Sequence, residues 1–182
     1  MKQQKGFTLI ELVMVILVLA IISVIVAPKF LSLSSESQTA MIKSVGGTIA
    51  LMNQMVNSKT QVVGIADKGD CSYSCGGDPH WDVLVGYYFV DISGTRFYVC
   101  NGYAMATQFD PVVQKNYKTV MGLSDDDWLV EPYINSHASG IIPMKFKDKV
   151  ADIKSGNFKC HLEYVAPTSS RSYALKTLTY DY

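Results

Sequence analysis

Residues 6–27 read GFTLIELVMVILVLAIISVIVA, and this stretch decides the architecture of the chain. Across residues 12–27 every side chain is apolar except that of Ser23. A helix over residues 7–27 would be about 31 Å long at 1.5 Å per residue, which matches a bilayer hydrocarbon core of about 30 Å. The sequence therefore predicts a helix that crosses a membrane.

The flanks of the apolar run set its orientation and argue against simpler interpretations. Lys2 and Lys5 precede the run, and the positive-inside rule then places the N-terminus in the cytoplasm. An ordinary secretory signal peptide fits poorly, because the run is too long for one. Its only small-residue cleavage site, at Ala27, is followed by Pro28, which makes a poor substrate for signal peptidase. A buried core helix also fits poorly, because the run is apolar on every face.

One carboxylate, that of Glu11, lies about one turn inside the apolar run. A charged side chain deep in a bilayer costs on the order of 3 kcal/mol, and such residues are usually functional and paired. A plain membrane anchor gains nothing from a buried acid. Glu11 therefore indicates a function beyond anchoring.

The segment Gly6-Phe7-Thr8-Leu9-Ile10-Glu11 resembles the prepilin signature of type IV pilins and type II secretion pseudopilins. The shared features are a short basic leader, a Gly-Phe junction, a glutamate five positions into the mature chain and an apolar run. The resemblance implies that a prepilin peptidase cuts between Gly6 and Phe7 and methylates the new amine of Phe7. We interpret Glu11 as the partner of the Phe7 amine of a neighbouring subunit, a pairing that would set axial register in a fibre.

Beyond the membrane the helix is predicted to continue to about residue 57. Pro28 removes a backbone hydrogen bond and should bend the helix. The side chains of Ser44, Thr48 and Asn53 are predicted to turn away from the globular head, and the glycines at 46–47 to mark either a bend or close packing. The stripe that is predicted to pack against the head consists of Met41, Val45, Ile49, Met52 and Val56.

The predicted fold class is α+β, the type IV pilin fold, with a long N-terminal α-helix packed on an antiparallel β-sheet head. Asp110 and Gly122 are predicted to bound a short helix in the head. The predicted segments are a leader at 1–6, a hydrophobic assembly helix at 7–28, an amphipathic helix at 29–57 and a head at 58–182. Strands are predicted at 83–90, 95–100, 128–134, 141–147, 158–165 and 173–180.

Several short segments are similar to mannose-sensitive haemagglutinin (MSHA) type pilins. These segments are residues 27–31, 97–104, 125–128 and 160–164. That subgroup often has proline after its Gly-Tyr pair, whereas this chain has Ala104. The resemblance implies an extracellular fibre used in surface attachment, with a carbohydrate or another surface receptor as its target.

Four cysteines in an exported chain favour disulfides over free thiols. The predicted pairing is Cys71–Cys75 and Cys100–Cys160, although four cysteines allow three connectivities. A zinc site built from Cys71, Cys75, His80 and a later cysteine is the alternative, but its spacing is not standard.

Charge and motifs exclude other classes of function. The chain has 16 basic and 16 acidic residues, which gives no electrostatic case for nucleic acid. No catalytic motif or cofactor signature appears, so we predict neither an enzyme nor a cofactor. Three histidines, His80, His137 and His161, have no identifiable nucleophile beside them, and His161 is interpreted as structural. Asp125-Asp126-Asp127 is interpreted as a solvated turn or as a helix start after Ser124. The run lacks the alternating ligand spacing of a calcium loop, and calcium binding is left open because some pseudopilins use calcium.

The predicted partners follow from the prepilin resemblance. They are other copies of the chain in a helical filament, the prepilin peptidase, an inner-membrane assembly platform and the membrane itself. The precursor would lie in the inner membrane with a cytoplasmic N-terminus and a periplasmic head, before export into the pilus. A minor pilin or a type II secretion pseudopilin is the alternative function.

Overall fold

The structure is a computed structural model that describes residues 8–69, 77–106, 110–135 and 138–179. The chain divides into two compact units, Met1–Ala40 and Met41–Tyr182. Helix α1, Leu9–Val62, contributes residues to both units and ends later than the predicted residue 57. The first part of the helix is apolar and the second part is amphipathic, which explains why only the second part belongs to the unit with the sheets.

The second unit contains two antiparallel sheets with helices beside them. The first sheet has the order β1 (Trp81–Asp82), β2 (Tyr87–Ile92), β3 (Thr95–Cys100), β4 (Tyr103–Ala104), and the second has the order β5 (Trp128–Asn135), β6 (Ala138–Pro143), β7 (Cys160–Val165), β8 (Ala174–Thr179). The remaining elements are α2 (Pro111–Met121), a 3₁₀ helix (Met144–Lys149) and α3 (Val150–Lys154). The predicted α+β type IV pilin architecture is confirmed, although the strands form two sheets instead of one.

The predicted helix after residue 110 is confirmed together with both of its caps. The Asp110 side chain accepts hydrogen bonds from the backbone N–H groups of Val112, at 2.8 Å, and Val113, at 3.2 Å. Gly122 ends the helix in the left-handed conformation, with φ of 68°. An acidic N-cap, a proline in the first turn and a C-terminal glycine are local signals that sequence alone can read.

The buried face of α1 in the second unit matches most of the predicted stripe. Ile42, Ile49 and Val56 are fully buried, whereas Met41 is exposed. Val45 and Met52 lie at the edge of the core and are only partly buried. The prediction was therefore right for four of its five residues and wrong for Met41, while the buried Ile42 was missed, because a helix with two neighbouring apolar lines leaves the choice between them to the surface it meets.

Asn53 is buried at 0% exposure, so the prediction that it turns away from the head was wrong. Its Oδ1 accepts a hydrogen bond from the backbone N–H of Ala104, at 3.1 Å, and one from the Tyr164 hydroxyl, at 3.2 Å. Its Nδ2 donates to the Ile49 carbonyl at 3.0 Å. One amide side chain thus ties the helix to both sheets, and its burial is tolerated because its oxygen and its nitrogen are both hydrogen-bonded.

A two-residue turn docks the first sheet on the end of α1. Asn101 and Gly102 both have positive φ, 46° and 79°, as a tight hairpin between β3 and β4 requires. The Gly102 carbonyl accepts hydrogen bonds from Asn57 and Thr60 of the helix. A Cβ on Gly102 would lie 2.8 Å from the Ala66 carbonyl oxygen, so glycine is required both for conformation and for space.

The glycine pair in α1 marks close packing at one position. A Cβ on Gly46 would meet Leu162 of β7 at 3.3 Å, whereas one on Gly47 would meet nothing within 4 Å. Of the two options left open by the sequence, the structure therefore supports close helix–sheet packing at Gly46.

Two strand predictions were wrong in part. Residues 83–86, predicted as strand, form a turn before β2. The Asp82 carboxylate accepts hydrogen bonds from Leu84 and Val85 N–H groups, and Gly86 N–H donates to the Asp82 carbonyl at 2.7 Å. Residues 144–147, also predicted as strand, belong to the 3₁₀ helix, because the neighbouring strand β5 starts opposite Pro143 and offers no ladder beyond it.

Candidate assembly site

The N-terminal end of α1 carries a reciprocal cap that involves Glu11. Its Oε2 accepts hydrogen bonds from the Thr8 backbone N–H, at 2.9 Å, and from the Thr8 hydroxyl, at 2.7 Å. The Thr8 Oγ1 in turn lies 3.4 Å from the Glu11 N–H. This is a capping box, which the Thr-x-x-Glu spacing signals and which our interpretation of the sequence missed. Glu11 thus has a structural partner within its own chain.

The apolar segment that follows is long enough to cross a bilayer. Leu9–Val26 is an 18-residue helical span, and none of it is buried within the chain. The hydroxyl of Ser23, its one polar group beyond Glu11, donates to the Leu19 carbonyl at 2.7 Å. Every polar group after the first turn is therefore satisfied within the helix, as a lipid environment requires.

The remaining residues predicted for this site are only partly described. Gly6 and Phe7 lie outside the described residues, so their cleavage and methylation stay predictions. Pro28 lies inside α1, and the predicted bend there is not tested.

An exposed line of residues runs along α1 in the second unit. Its members recur at alternating spacings of three and four and are all exposed: Met41, Ser44, Thr48, Leu51, Met55, Ser58 and Val62. The hydroxyls of Thr48 and Ser58 donate to carbonyls one turn earlier, at 3.2 Å and 3.0 Å. The line therefore presents apolar and small side chains in the heptad spacing that helices use to pack together. The spacing is visible in the sequence, but our interpretation assigned Met41 to the core.

Cys100 and Cys160 are both buried but lie in different sheets. The Cys100 side chain packs on the face of β3 opposite to Val99, whereas Val99 shares the main core with Cys160. Cys71 and Cys75 lie outside the described residues, and the disulfide pairing stays a prediction.

The acidic run before β5 forms a turn, as predicted. Asp125 forms an ion pair with Lys118, which lowers the pKa of the Asp125 carboxyl, and the Asp126 N–H donates to the Ser124 hydroxyl at 3.1 Å. Among the described residues, no group of three or more His, Cys, Asp or Glu side chains could hold a metal ion. Calcium binding at this run gains no support.

His161 is a buried titratable group in β7, at 2% exposure. Neither ring nitrogen has a hydrogen-bond partner among the described residues, and the Glu163 carboxylate lies 3.7 Å from Nε2. Burial lowers the pKa of His161, and the nearby carboxylate only partly opposes this shift. His137 lies outside the described residues.

We expect the second unit to lose stability in mild acid because of His161. The neutral ring is favoured in the folded state, so the unfolded chain binds the proton more readily, and the free energy of unfolding falls as the pH drops below roughly 6.5. Urea unfolding of the full chain in detergent between pH 7.5 and 5 measures this. His161→Leu should flatten the pH dependence, and Glu163→Gln should steepen it. An unchanged slope in both variants would contradict the assignment.

Comparison with known proteins gives one match. Residues 1–27 match the family described as "Prokaryotic N-terminal methylation motif", so the match spans the basic leader, Glu11 and the apolar segment. No curated protein and no solved structure matches the chain significantly. The motif indicates a type IV pilin-like prepilin or pseudopilin with a membrane-anchored precursor, and pilin-like proteins of this kind self-assemble after processing by a prepilin peptidase.

Proposed function

We propose that this chain is a structural subunit of an MSHA-like type IV pilus, assembled into an extracellular fibre that attaches cells to surfaces. The observation that carries the proposal is the methylation motif at residues 1–27, joined to an apolar helix that the chain itself leaves uncovered. Apolar surface of this extent needs either lipid or other copies of the same helix to cover it.

Assembly then exchanges one apolar environment for another. Before assembly, Leu9–Val26 lies in the inner membrane, with the N-terminus in the cytoplasm and the second unit in the periplasm. In the fibre, the same segment packs against the helices of neighbouring copies. An assembly platform in the inner membrane would carry out the transfer, after the prepilin peptidase has cut between Gly6 and Phe7.

Glu11 is the residue that would make the exchange specific. Both hydrogen bonds from Thr8 go to Oε2, and none of the described residues donates to Oε1. Oε1 can therefore accept the methylated amine of Phe7 from a neighbouring copy while the capping box stays intact. A carboxylate in an apolar bundle needs such a cation, because an unpaired buried charge is costly.

The exposed line on α1 supports self-association in the second unit as well. Leu51, Met55 and Val62 are large apolar side chains that face solvent in the single chain. Heptad spacing suits them to pack against a second helix or a second copy of the head.

Adhesion and the MSHA-like assignment rest on the short segment similarities in the head. The four cysteines would stabilise a fibre outside the cell, where the environment favours disulfides. A carbohydrate or another surface receptor is the expected target.

Mass spectrometry of sheared surface fibres tests the proposal. We expect an abundant peptide that begins with N-methylated Phe7, and its loss when Gly6 is replaced by a bulky residue. The chain's own lysine-bounded peptides from the second unit serve as the internal reference for abundance. Recovery of the processed chain only from the inner membrane would favour a pseudopilin or minor pilin, and recovery with residues 1–6 still attached would refute both.

A further inference from the structure

The turn between β1 and β2 exposes two apolar side chains at its tip. Val83 is 76% exposed and Leu84 is 97% exposed. Turn positions normally carry Gly, Pro, Asn, Asp or Ser. Burying a Val or Leu side chain is worth about 1.5–3 kcal/mol, and these two residues forgo that stabilisation in the single chain.

A buried acid holds this tip in one conformation. Asp82 has its side chain only 9% exposed and accepts hydrogen bonds from the Arg96 guanidinium, at 3.1 Å, and the Tyr98 hydroxyl, at 3.0 Å. The same carboxylate accepts the Leu84 N–H at 3.1 Å. The apolar tip is therefore presented with its backbone already ordered, which lowers the entropy cost of docking it.

The second unit also carries an apolar groove that no described part of the chain fills. The groove has a volume of about 430 Å³ and lies between the end of α1 and strand β2. Met55, Val62, Val63 and Val90 supply its apolar lining, and Lys59 crosses its edge to bond the Asp91 carbonyl at 2.7 Å. Met55 and Val62 also belong to the exposed line on α1, so the groove is continuous with the proposed self-association surface.

We propose that the Val83–Leu84 tip docks into this groove on a second copy of the chain. The inference rests on the proposed fibre function. The occupant is a second copy because the chain itself offers an ordered apolar projection and an apolar recess at different places on one unit. Contacts between two different patches are heterologous, and when the rotation does not close they repeat as an open helical filament.

Cross-linking in intact fibres tests the docking. Cells that co-express the Leu84→Cys and Val62→Cys chains are treated with a short bis-maleimide, and the fibre proteins are separated after denaturation. We expect a covalent dimer between the two variants, identified by its linked peptides, and a ladder of higher multimers when one chain carries both substitutions. Both positions are exposed, so folding should not change.

The controls separate this proposal from the fibre function. Each single variant and the native chain should remain monomeric, as should an Asp148→Cys chain paired with Val62→Cys, since Asp148 is exposed and lies in the 3₁₀ helix instead of at the tip or the groove. Normal fibres without the mixed dimer, or a dimer formed by Val62→Cys alone, would overturn the docking and leave the fibre function standing. Absence of fibres from the native chain would instead refute the fibre function.

Complementary charges provide a second measurement. Leu84→Lys alone and Val62→Glu alone should each lower fibre yield several-fold, and the two together should restore it. A fold-loss of fibre in the double variant equal to the product of the two single fold-losses would overturn the docking.

Discussion

Replacement of Glu11 by glutamine should lower the amount of surface fibre about tenfold or more, a change that corresponds to at least ~1.4 kcal/mol in assembly. Glutamine keeps a side-chain oxygen that can accept the Thr8 N–H, so the capping box is preserved. What it removes is the negative charge that would pair with the Phe7 amine of a neighbour. Cleavage and membrane insertion should be unchanged, because both depend on the leader and the apolar run.

Two further variants make the experiment decisive. Thr8→Ala removes the hydroxyl that bonds Glu11 in the capping box but leaves the Glu11 charge. This variant should therefore assemble far better than Glu11→Gln. Glu11→Val removes cap and charge together and should assemble no better than Glu11→Gln. Fibre yield is measured by immunoblot of sheared fractions against total processed protein. Normal yield from Glu11→Gln with poor yield from Thr8→Ala would show that Glu11 only caps the helix.

Replacement of Asn53 by leucine should destabilise the second unit by about 3 kcal/mol. The Ala104 N–H would lose its partner in the core, whereas the single proton of the Tyr164 hydroxyl, which Asn53 Oδ1 shares with the Ala104 carbonyl at 2.8 Å, would still have the carbonyl as acceptor. A buried donor left without an acceptor costs about 1–3 kcal/mol, and the shape change adds to this. Tyr164→Phe should cost less, about 1 kcal/mol, because the backbone N–H keeps its bond.

Urea unfolding of the full chain in detergent, followed by the fluorescence of Trp81 and Trp128, measures the loss. Thr48→Ala is the matched control, since Thr48 lies on the same helix but is exposed, and it should change the free energy of unfolding by less than about 0.5 kcal/mol. An Asn53→Leu chain as stable as the native one would mean that the buried bonds contribute no net stability.

The predicted features that the structure or the comparisons confirm depend on neighbours in sequence. The apolar segment can be predicted because fifteen of the sixteen residues at 12–27 are apolar, the exception being Ser23, and such a run cannot be a surface helix. The roles of Asp110 and Gly122 as helix caps can be predicted because a cap bonds groups within one turn of itself. The capping box of Thr8 and Glu11 could have been predicted in the same way, and it was missed because the glutamate was considered only as a charge.

A helix of membrane length and the α+β fold class could be predicted from the sequence. Three features became visible only in the folded chain: Asn53 faces the core, Val83 and Leu84 project from a turn, and the strands form two sheets. The physical reason is that these outcomes depend on partners distant in the chain. Asn53 is buried because Ala104 and Tyr164 need its oxygen, and the apolar run after Asp82 turns because Arg96 and Tyr98 hold that carboxylate in place.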